Sequence, residues 1–196
     1  MLYLASQSPR RAQLLEQLGL RFGVLEVEVI ERREVGEAAL DYGRRVAREK
    51  AGAGLLRVMS SAGATVLAAD TEVVLDDEVF GKPVDAVDAA RMLAQLAGRT
   101  HRVVSAVCVL SGAREAQIVQ VSEVTFAALT AAQIANYVAT HEPLGKAGGY
   151  AIQGAAAAFI EHLSGSYSGV MGLPLFETAQ LLRDFGVLPC ISQTSL

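Results

Sequence analysis

The chain passes from a strand into a helix within one stretch, Leu2-Tyr3-Leu4-Ala5-Ser6-Gln7-Ser8-Pro9-Arg10-Arg11. We expect Ser8 to cap the helix, because its hydroxyl can accept from unpaired N–H groups, and Pro9 suits the first helical position. Arg10 and Arg11 then lie in the first turn, where the helix dipole favours anions and disfavours cations. The hydroxyls of Ser6 and Ser8, the free N–H groups and the two guanidinium groups together predict a phosphate-binding site. The alternative is an ordinary capped helix with two solvated arginines.

The composition indicates a compact protein with no general affinity for membranes or nucleic acid. With 196 residues, 52% of them hydrophobic, the chain can bury one substantial core, or two lobes that share one. No apolar run approaches the roughly 20 residues that a membrane span requires, and we expect no signal peptide. The net charge of -4 does not attract polyanions. A phosphate site would therefore need its cations concentrated in one cleft.

Cysteine usage predicts neither a disulfide framework nor a zinc site. Cys108 and Cys190 are the two cysteines of the sequence, and Cys108 lies in an apolar strand-like run. We expect Cys108 to be a buried free thiol and the protein to be cytoplasmic. The three histidines show no metal-ligand spacing, and the sequence has no Walker A or dinucleotide fingerprint.

The hydrophobic periodicity predicts a mixed α/β fold. Strands and helices alternate without a strict βαβ order, which favours a mixed sheet with flanking helices. Asp85 and Thr130 are expected to cap helices. The expected strands are 2–5, 23–30, 66–69 continuing over 72–75, 78–80, 102–110 and 117–127; the expected helices are 9–18, 37–56, 85–96, one beginning at 130, and 173–185.

Three further segments carry side chains suited to a phosphorylated ligand. Asp70 follows a buried strand, where a carboxylate can hold a divalent metal or accept a proton from water; a plain turn aspartate is the alternative. Lys82 lies in a loop stiffened by Pro83, although a solvated lysine is the usual outcome. Residues 145–154 are rich in glycine and carry Lys146 and Gln153, whose amide both donates and accepts; the alternative is a flexible loop. Residues 165–174 predict either another anion or ribose contact at a helix start, or a turn.

Seven short motifs follow one another along nearly the whole chain: Leu4-Ala5-Ser6-x-Ser8-Pro9-Arg10-Arg11, Ala69-Asp70-Thr71, Gly81-Lys82-Pro83, Leu96-x-Gly98-Arg99-Thr100-His101, Glu142-Pro143-x-x-Lys146-Ala147-Gly148, Ile152-Gln153-Gly154 and Gly172-Leu173-Pro174. In this order they resemble the Maf family of nucleotide pyrophosphatases. The resemblance implies one domain over residues 1–196, with a two-lobed Maf/ITPase-like α/β fold, an elongated mixed sheet flanked by helices, and a nucleotide cleft between the lobes. It also implies hydrolysis of a nucleoside triphosphate to the monophosphate and pyrophosphate, assisted by Mg²⁺ or Mn²⁺.

The same resemblance implies roles for individual residues. Asp70 would be the catalytic residue and would hold the metal together with Glu31. Selectivity for dTTP and UTP would follow from Arg10, Thr71 and Gln153, because the branch acting on 7-methyl-GTP carries glutamine after the aspartate and an acidic residue in the loop. The residues expected to bind substrate are Ser6, Ser8, Arg10, Arg11, Lys50, Lys82 and Lys146, although Lys50 could instead decorate a helix surface.

Two other functions remain open from the sequence. One is a pyrophosphatase for 7-methyl-GTP or another modified nucleotide. The other is a nucleotide- or nucleic-acid-binding regulator of septum formation without turnover, which the acidic net charge disfavours. The resemblance implies the removal of non-standard nucleotides as the cellular purpose, with a possible link to division arrest. The expected partners are the nucleoside triphosphate and a second copy of the chain, with no membrane and no nucleic acid.

Overall fold

A mixed β-sheet runs through the computed structural model, which describes residues 1–189; Cys190 lies outside them. Within these residues the sheet has seven strands in the order β2-β1-β3-β5-β6-β7, and β4 pairs with β3 alone. β1 is parallel to β2 and β3, whereas the other pairs are antiparallel. The strands are β1 (Leu2–Leu4), β2 (Phe22–Val24), β3 (Thr65–Leu75), β4 (Glu78–Phe80), β5 (Thr100–Ser111), β6 (Glu115–Phe126) and β7 (Ile160–Ser164).

Helices cover both faces of the sheet. Successive residues of β3 point to opposite faces: Leu67 packs with α1 and α6, whereas Ala68 packs with α2. Further along the same strand, Val73 and Leu75 join a separate apolar cluster with α3 and α4. The helices are α1 (Pro9–Glu16), α2 (Ala39–Arg57), α3 (Ala86–Leu96), α4 (Ala131–Val138), α5 (Tyr167–Met171) and α6 (Leu175–Asp184). The expected mixed α/β class is confirmed, and the division into two lobes stays a prediction.

The long strand β3 places Asp70 and Thr71 in the interior of the sheet. The sequence predicted a buried strand over 66–69 that continues over 72–75, and β3 joins the two runs through Asp70 and Thr71. The alternative of a plain turn aspartate is therefore wrong. Asp70 is paired with Ala106 and Thr71 with Ser105 in β5. Asp70 and Thr71 therefore reach opposite faces of one rigid strand.

Most predicted elements are confirmed to within two residues, and the exceptions are informative. A strand over 23–30 is wrong: β2 ends at Val24, one further bond joins the Leu25 N–H to the Leu4 carbonyl, and the chain then leaves the sheet. The edge strand β7 was not predicted, because its residues are largely exposed and show no clean alternation. Asp85 and Thr130 cap their helices as expected, and Cys108 is a buried free thiol. None of the helices in residues 1–189 is both long and apolar enough for a membrane crossing.

Candidate active site

A cleft of about 1270 Å³ opens beside β3. Segment 27–31, which leaves the sheet after β2, forms part of its wall, and the loop before β7 forms another part. The cleft therefore gathers residues from distant parts of the chain. It is lined by each of the residues that the sequence nominated for the site, namely Ser6, Ser8, Arg10, Arg11, Glu31, Lys50, Asp70, Thr71, Lys82, Lys146 and Gln153.

A lysine lies between Asp70 and Glu31, the two carboxylates that were expected to hold a metal. The Lys50 ammonium from α2 lies 2.7 Å from Asp70 Oδ1 and 2.7 Å from Glu31 Oε1. Lys82 Nζ lies 3.3 Å from the other oxygen of Glu31. Although burial works in the opposite direction, the hydrogen bond from Lys50 lowers the pKa of Glu31, which is therefore ionised at neutral pH. Lys50 is 8% exposed, so the alternative that it decorates a helix surface is wrong.

A third carboxyl group, Glu72, lies beside Asp70 on the same face of β3. Burial and the neighbouring Asp70 carboxylate raise the pKa of Glu72 to about 9, so this group is protonated at neutral pH. Asp70 Oδ2 is buried and has no hydrogen-bond partner among residues 1–189. Sequence reasoning missed Glu72, although the period of two in a strand puts it on the face of Asp70.

The oxygen atoms of this site are donors that suit a hard divalent cation. Asp70 and Glu31 supply carboxylate oxygens, and the buried Oδ2 of Asp70 lacks a donor from the main chain. The described residues contain no cluster of three or more His, Cys, Asp or Glu side chains arranged for a metal. Two carboxylates are the set with which Mg²⁺ commonly binds when substrate phosphates and water complete its shell.

Arg11 joins the start of α1 to the opposite face of β3. Its Nε donates to the Gly172 carbonyl at 2.9 Å, Nη1 to Ser6 Oγ at 3.2 Å and Nη2 to Thr71 Oγ1 at 3.3 Å. The Thr71 hydroxyl also shares a 2.9 Å hydrogen bond with Ser105 Oγ. Two of the five guanidinium N–H groups of Arg11 remain for a ligand. A solvated arginine is therefore the wrong description of Arg11.

Arg10 is half-buried, and its Nε donates to the Met171 carbonyl at 3.4 Å. Burial lowers the pKa of both Arg10 and Arg11, which reflects the cost of removing a cation from water. A bound anion would offset that cost. The segment 165–174 forms the short helix α5 and supplies the carbonyls of Met171 and Gly172 to these arginines, so the alternative of a simple turn is wrong.

The start of α1 is capped differently from the prediction. Ser8 occupies the N-cap position, but its hydroxyl makes no capping bond. Ser6 Oγ instead accepts from the Ser8 N–H at 3.2 Å as well as from Arg11. Ser6 lies just after β1, where its hydroxyl reaches both the Ser8 N–H and the Arg11 guanidinium. The Ser8 hydroxyl thus lines the cleft without a partner among residues 1–189.

The glycine-rich loop contributes Lys146 and Gln153 to the same cleft. Lys146 Nζ donates to the Leu144 carbonyl at 3.3 Å, and burial lowers its pKa. Gln153 is exposed, and its amide forms no hydrogen bond within the described residues. The loop between them contacts two other segments: the Gly148 N–H donates to the Gly81 carbonyl at 3.1 Å, and Gly149 lies close to Ala89.

The Maf-like protein family model matches residues 1–185. The chain belongs to the Maf family. Among curated Maf relatives, the dTTP/UTP pyrophosphatase of Xanthomonas campestris pv. campestris is 59% identical over 188 residues, 95% of this chain and 99% of that protein. The nucleoside triphosphate pyrophosphatase of Xylella fastidiosa is 58% identical over 186 residues, 94% of this chain and 98% of that protein.

A more distant likeness exists among solved structures. The Ham1 protein of Staphylococcus aureus is similar over 64% of this Maf chain and 71% of that chain, at 14% identity and a TM-score of 0.41. The family resemblance inferred from the seven motifs is confirmed by the family model and the curated relatives.

Proposed function

We propose that this Maf chain hydrolyses dTTP and UTP to the nucleoside monophosphate and pyrophosphate. The observation that carries the proposal is the near full-length, 59% identical relative named dTTP/UTP pyrophosphatase. The geometry supports it, because one cleft brings a buried aspartate together with cations from α1, α2 and two loops. Such an arrangement suits a triphosphate, whose hydrolysis depends mainly on positioning and on neutralising distributed negative charge.

Within this proposal, Asp70 and Glu31 hold a divalent cation, Mg²⁺ or Mn²⁺. When bound, that cation supplies charge neutralisation at the phosphate oxygens and a more acidic water. The Asp70 carboxylate orients the water that attacks the α-phosphorus and accepts its proton, while the bond from that phosphorus to the pyrophosphate oxygen breaks. The cationic and hydroxyl groups that contact the phosphates are Ser6, Ser8, Arg10, Arg11, Lys50, Lys82 and Lys146.

Base selectivity in the proposal rests on Gln153, with Arg10 and Thr71. The amide of Gln153 presents a donor and an acceptor together, which complements the donor and acceptor edge of uracil or thymine. Thr71 acts through Arg11, whose Nη2 donates a hydrogen bond to the Thr71 hydroxyl oxygen. A homodimer, a cytoplasmic location and a role in removing non-standard nucleotides stay predictions.

The central test is Asp70→Asn, assayed for pyrophosphate release from dTTP, UTP, CTP, GTP and 7-methyl-GTP, with and without Mg²⁺ or Mn²⁺. We expect kcat on dTTP and UTP to fall by at least about 100-fold, because the amide neither holds a cation well nor takes a proton. Asp41→Asn, an exposed aspartate on α2 outside the cleft, is the matched control. Near wild-type turnover in Asp70→Asn would refute the proposed role of Asp70.

The wild-type panel tests the substrate itself. A strong preference for 7-methyl-GTP would overturn the pyrimidine assignment. No hydrolysis of any triphosphate with any divalent metal would favour a binding protein without turnover.

A further inference from the structure

The loop that presents Gln153 is fastened from beneath by two side chains that do not line the cleft. Glu142 follows α4, and Tyr137 lies in the last turn of that helix. The Tyr137 hydroxyl donates to Glu142 Oε1 at 2.8 Å. The N–H of Ala155 donates to Glu142 Oε2 at 3.1 Å, and the N–H of Ala151 donates to the Tyr137 hydroxyl at 3.3 Å. The pair therefore holds the backbone on both sides of Gln153.

The fit between Glu142 and this loop is tight enough to specify a glycine. A Cβ at residue 154 would lie 2.3 Å from Glu142 Oε1, well inside contact distance. The backbone of Gly154 has a negative φ that any residue can adopt. Close approach of the carboxylate, and not backbone conformation, thus explains glycine beside Gln153. Although burial opposes it, the bonds from Ala155 and Tyr137 lower the pKa of Glu142, so the carboxylate is ionised and accepts strongly.

The Gln153 side chain depends on this backbone for its direction. It is exposed in the cleft, and no group in residues 1–189 bonds its amide. Tyr137, by contrast, is anchored: it is 3% exposed and its ring meets Phe159 edge-on at 5.3 Å. Rigid support beneath a solvent-facing recognition group is what a discriminating site requires, because a displaced donor and acceptor no longer match one base edge.

We infer that Glu142 and Tyr137 are positioning residues for base selection: they hold residues 151–155 so that the Gln153 amide meets the pyrimidine edge. The inference rests on the proposed function and on Gln153 reading the base. Neither residue touches the reacting atoms, so their loss should affect recognition of the base and spare the chemical step. The presence of Glu142 at the start of the motif Glu142-Pro143 is thereby explained by the loop that this carboxylate supports.

The test compares Glu142→Gln and Tyr137→Phe with wild type in kcat and KM for UTP and CTP. Each variant keeps the side-chain shape. Tyr137→Phe removes both bonds of the Tyr137 hydroxyl, and Glu142→Gln removes the negative charge and replaces one of the two acceptor oxygens with an NH2 group that only donates. We expect KM for UTP to rise about five- to tenfold, with the UTP preference over CTP falling by a similar factor and kcat within about twofold. Glu161→Gln, an exposed carboxylate in β7, is the control and should match wild type.

Gln153→Ala separates the inference from the proposed function. If Glu142 acts through Gln153, adding Glu142→Gln to Gln153→Ala should change the UTP preference no further. Two outcomes would overturn the inference and leave the proposed function standing. One is full additivity of the two changes in that double variant. The other is wild-type selectivity in both Glu142→Gln and Tyr137→Phe while Gln153→Ala loses selectivity. Unchanged selectivity in Gln153→Ala would overturn the base-reading role of Gln153. No turnover of UTP or dTTP by wild type would overturn the proposed function and with it the inference.

Discussion

Lys50 is the residue on which the charge balance of the cleft depends, because one buried ammonium serves both Asp70 and Glu31 at 2.7 Å. Lys50→Met keeps the length of the side chain and removes its charge. Breaking a buried pair leaves an uncompensated carboxylate, so we expect the free energy of unfolding to fall by about 3 kcal/mol at pH 7 without divalent metal. Added Mg²⁺ should recover part of this loss by binding the native carboxylates. Urea unfolding with EDTA or with Mg²⁺ measures both effects.

The matched control is Arg48→Met, two residues earlier on the same helix. Arg48 also lies 2.8 Å from a carboxylate, that of Glu115, but its side chain is 64% exposed. A solvated pair of this kind contributes little to stability, so we expect Arg48→Met to lose much less than Lys50→Met. Equal losses in the two variants would show that Lys50 does not carry the buried charge balance.

The glycine-rich loop packs closely against β3 at Gly148. Gly148 has φ +67°, and a Cβ there would lie 2.9 Å from Val73 Cγ2. Gly148→Ala therefore incurs both left-handed strain and a clash with the strand, and we expect the free energy of unfolding to fall by about 3 kcal/mol. KM for UTP should rise as well, since the displaced loop carries Lys146 and Gln153.

Gly145→Ala is the control for this element. Gly145 also has a positive φ, +73°, but a Cβ there meets nothing within 4 Å. Backbone strain alone should cost this variant about 1–2 kcal/mol. Urea unfolding of the two variants separates strain from the clash, and losses of the same size would contradict the contact with Val73.

Helices that begin with a capping residue could be predicted from the sequence. Which segments line the cleft could be predicted only in part. Asp85 and the Thr130 capping box fixed two helix starts from sequence alone, because capping is a local effect. Residues 23–30 read as a strand by alternation, but β2 ends at Val24, and the segment that follows it lines the cleft at Val27, Glu28, Val29 and Glu31. That outcome depends on tertiary partners, Lys50 and Lys82, that no local pattern contains.

Site residues followed the same rule. Motifs identified Asp70 and Gln153, since they stand in recognisable short patterns. The strand period places Glu72 on the face of Asp70, but its raised pKa comes from burial within the fold. The support given by Glu142 comes from the approach of its carboxylate to the Gly154 backbone. Distances across the chain of this kind are set by the fold as a whole.

At the scale of the whole molecule, the buried His101 makes global stability depend on pH. His101 is 2% exposed, lies edge-on to Phe126 and Tyr150, and shares a 2.8 Å hydrogen bond between Nε2 and the Tyr150 hydroxyl. Its Nδ1 is buried and has no partner within residues 1–189. Burial lowers the pKa of His101 to about 4, against an ordinary value of 6.5.

Because of this shift, the unfolded chain takes up a proton below about pH 6.5 that the folded protein refuses until about pH 4. Stability should therefore be fully present above pH 6.5 and decline as the pH falls to 4, by about 3 kcal/mol from this residue. His101→Gln keeps a polar group beside Tyr150 and cannot titrate in this range. Urea unfolding of wild type and His101→Gln at pH 7.5, 6, 5 and 4 measures this effect. As the pH falls, we expect wild type to lose about 3 kcal/mol of unfolding free energy relative to His101→Gln. Carboxylates common to both proteins cancel in the difference, so parallel pH profiles would mean that His101 is protonated within the folded core.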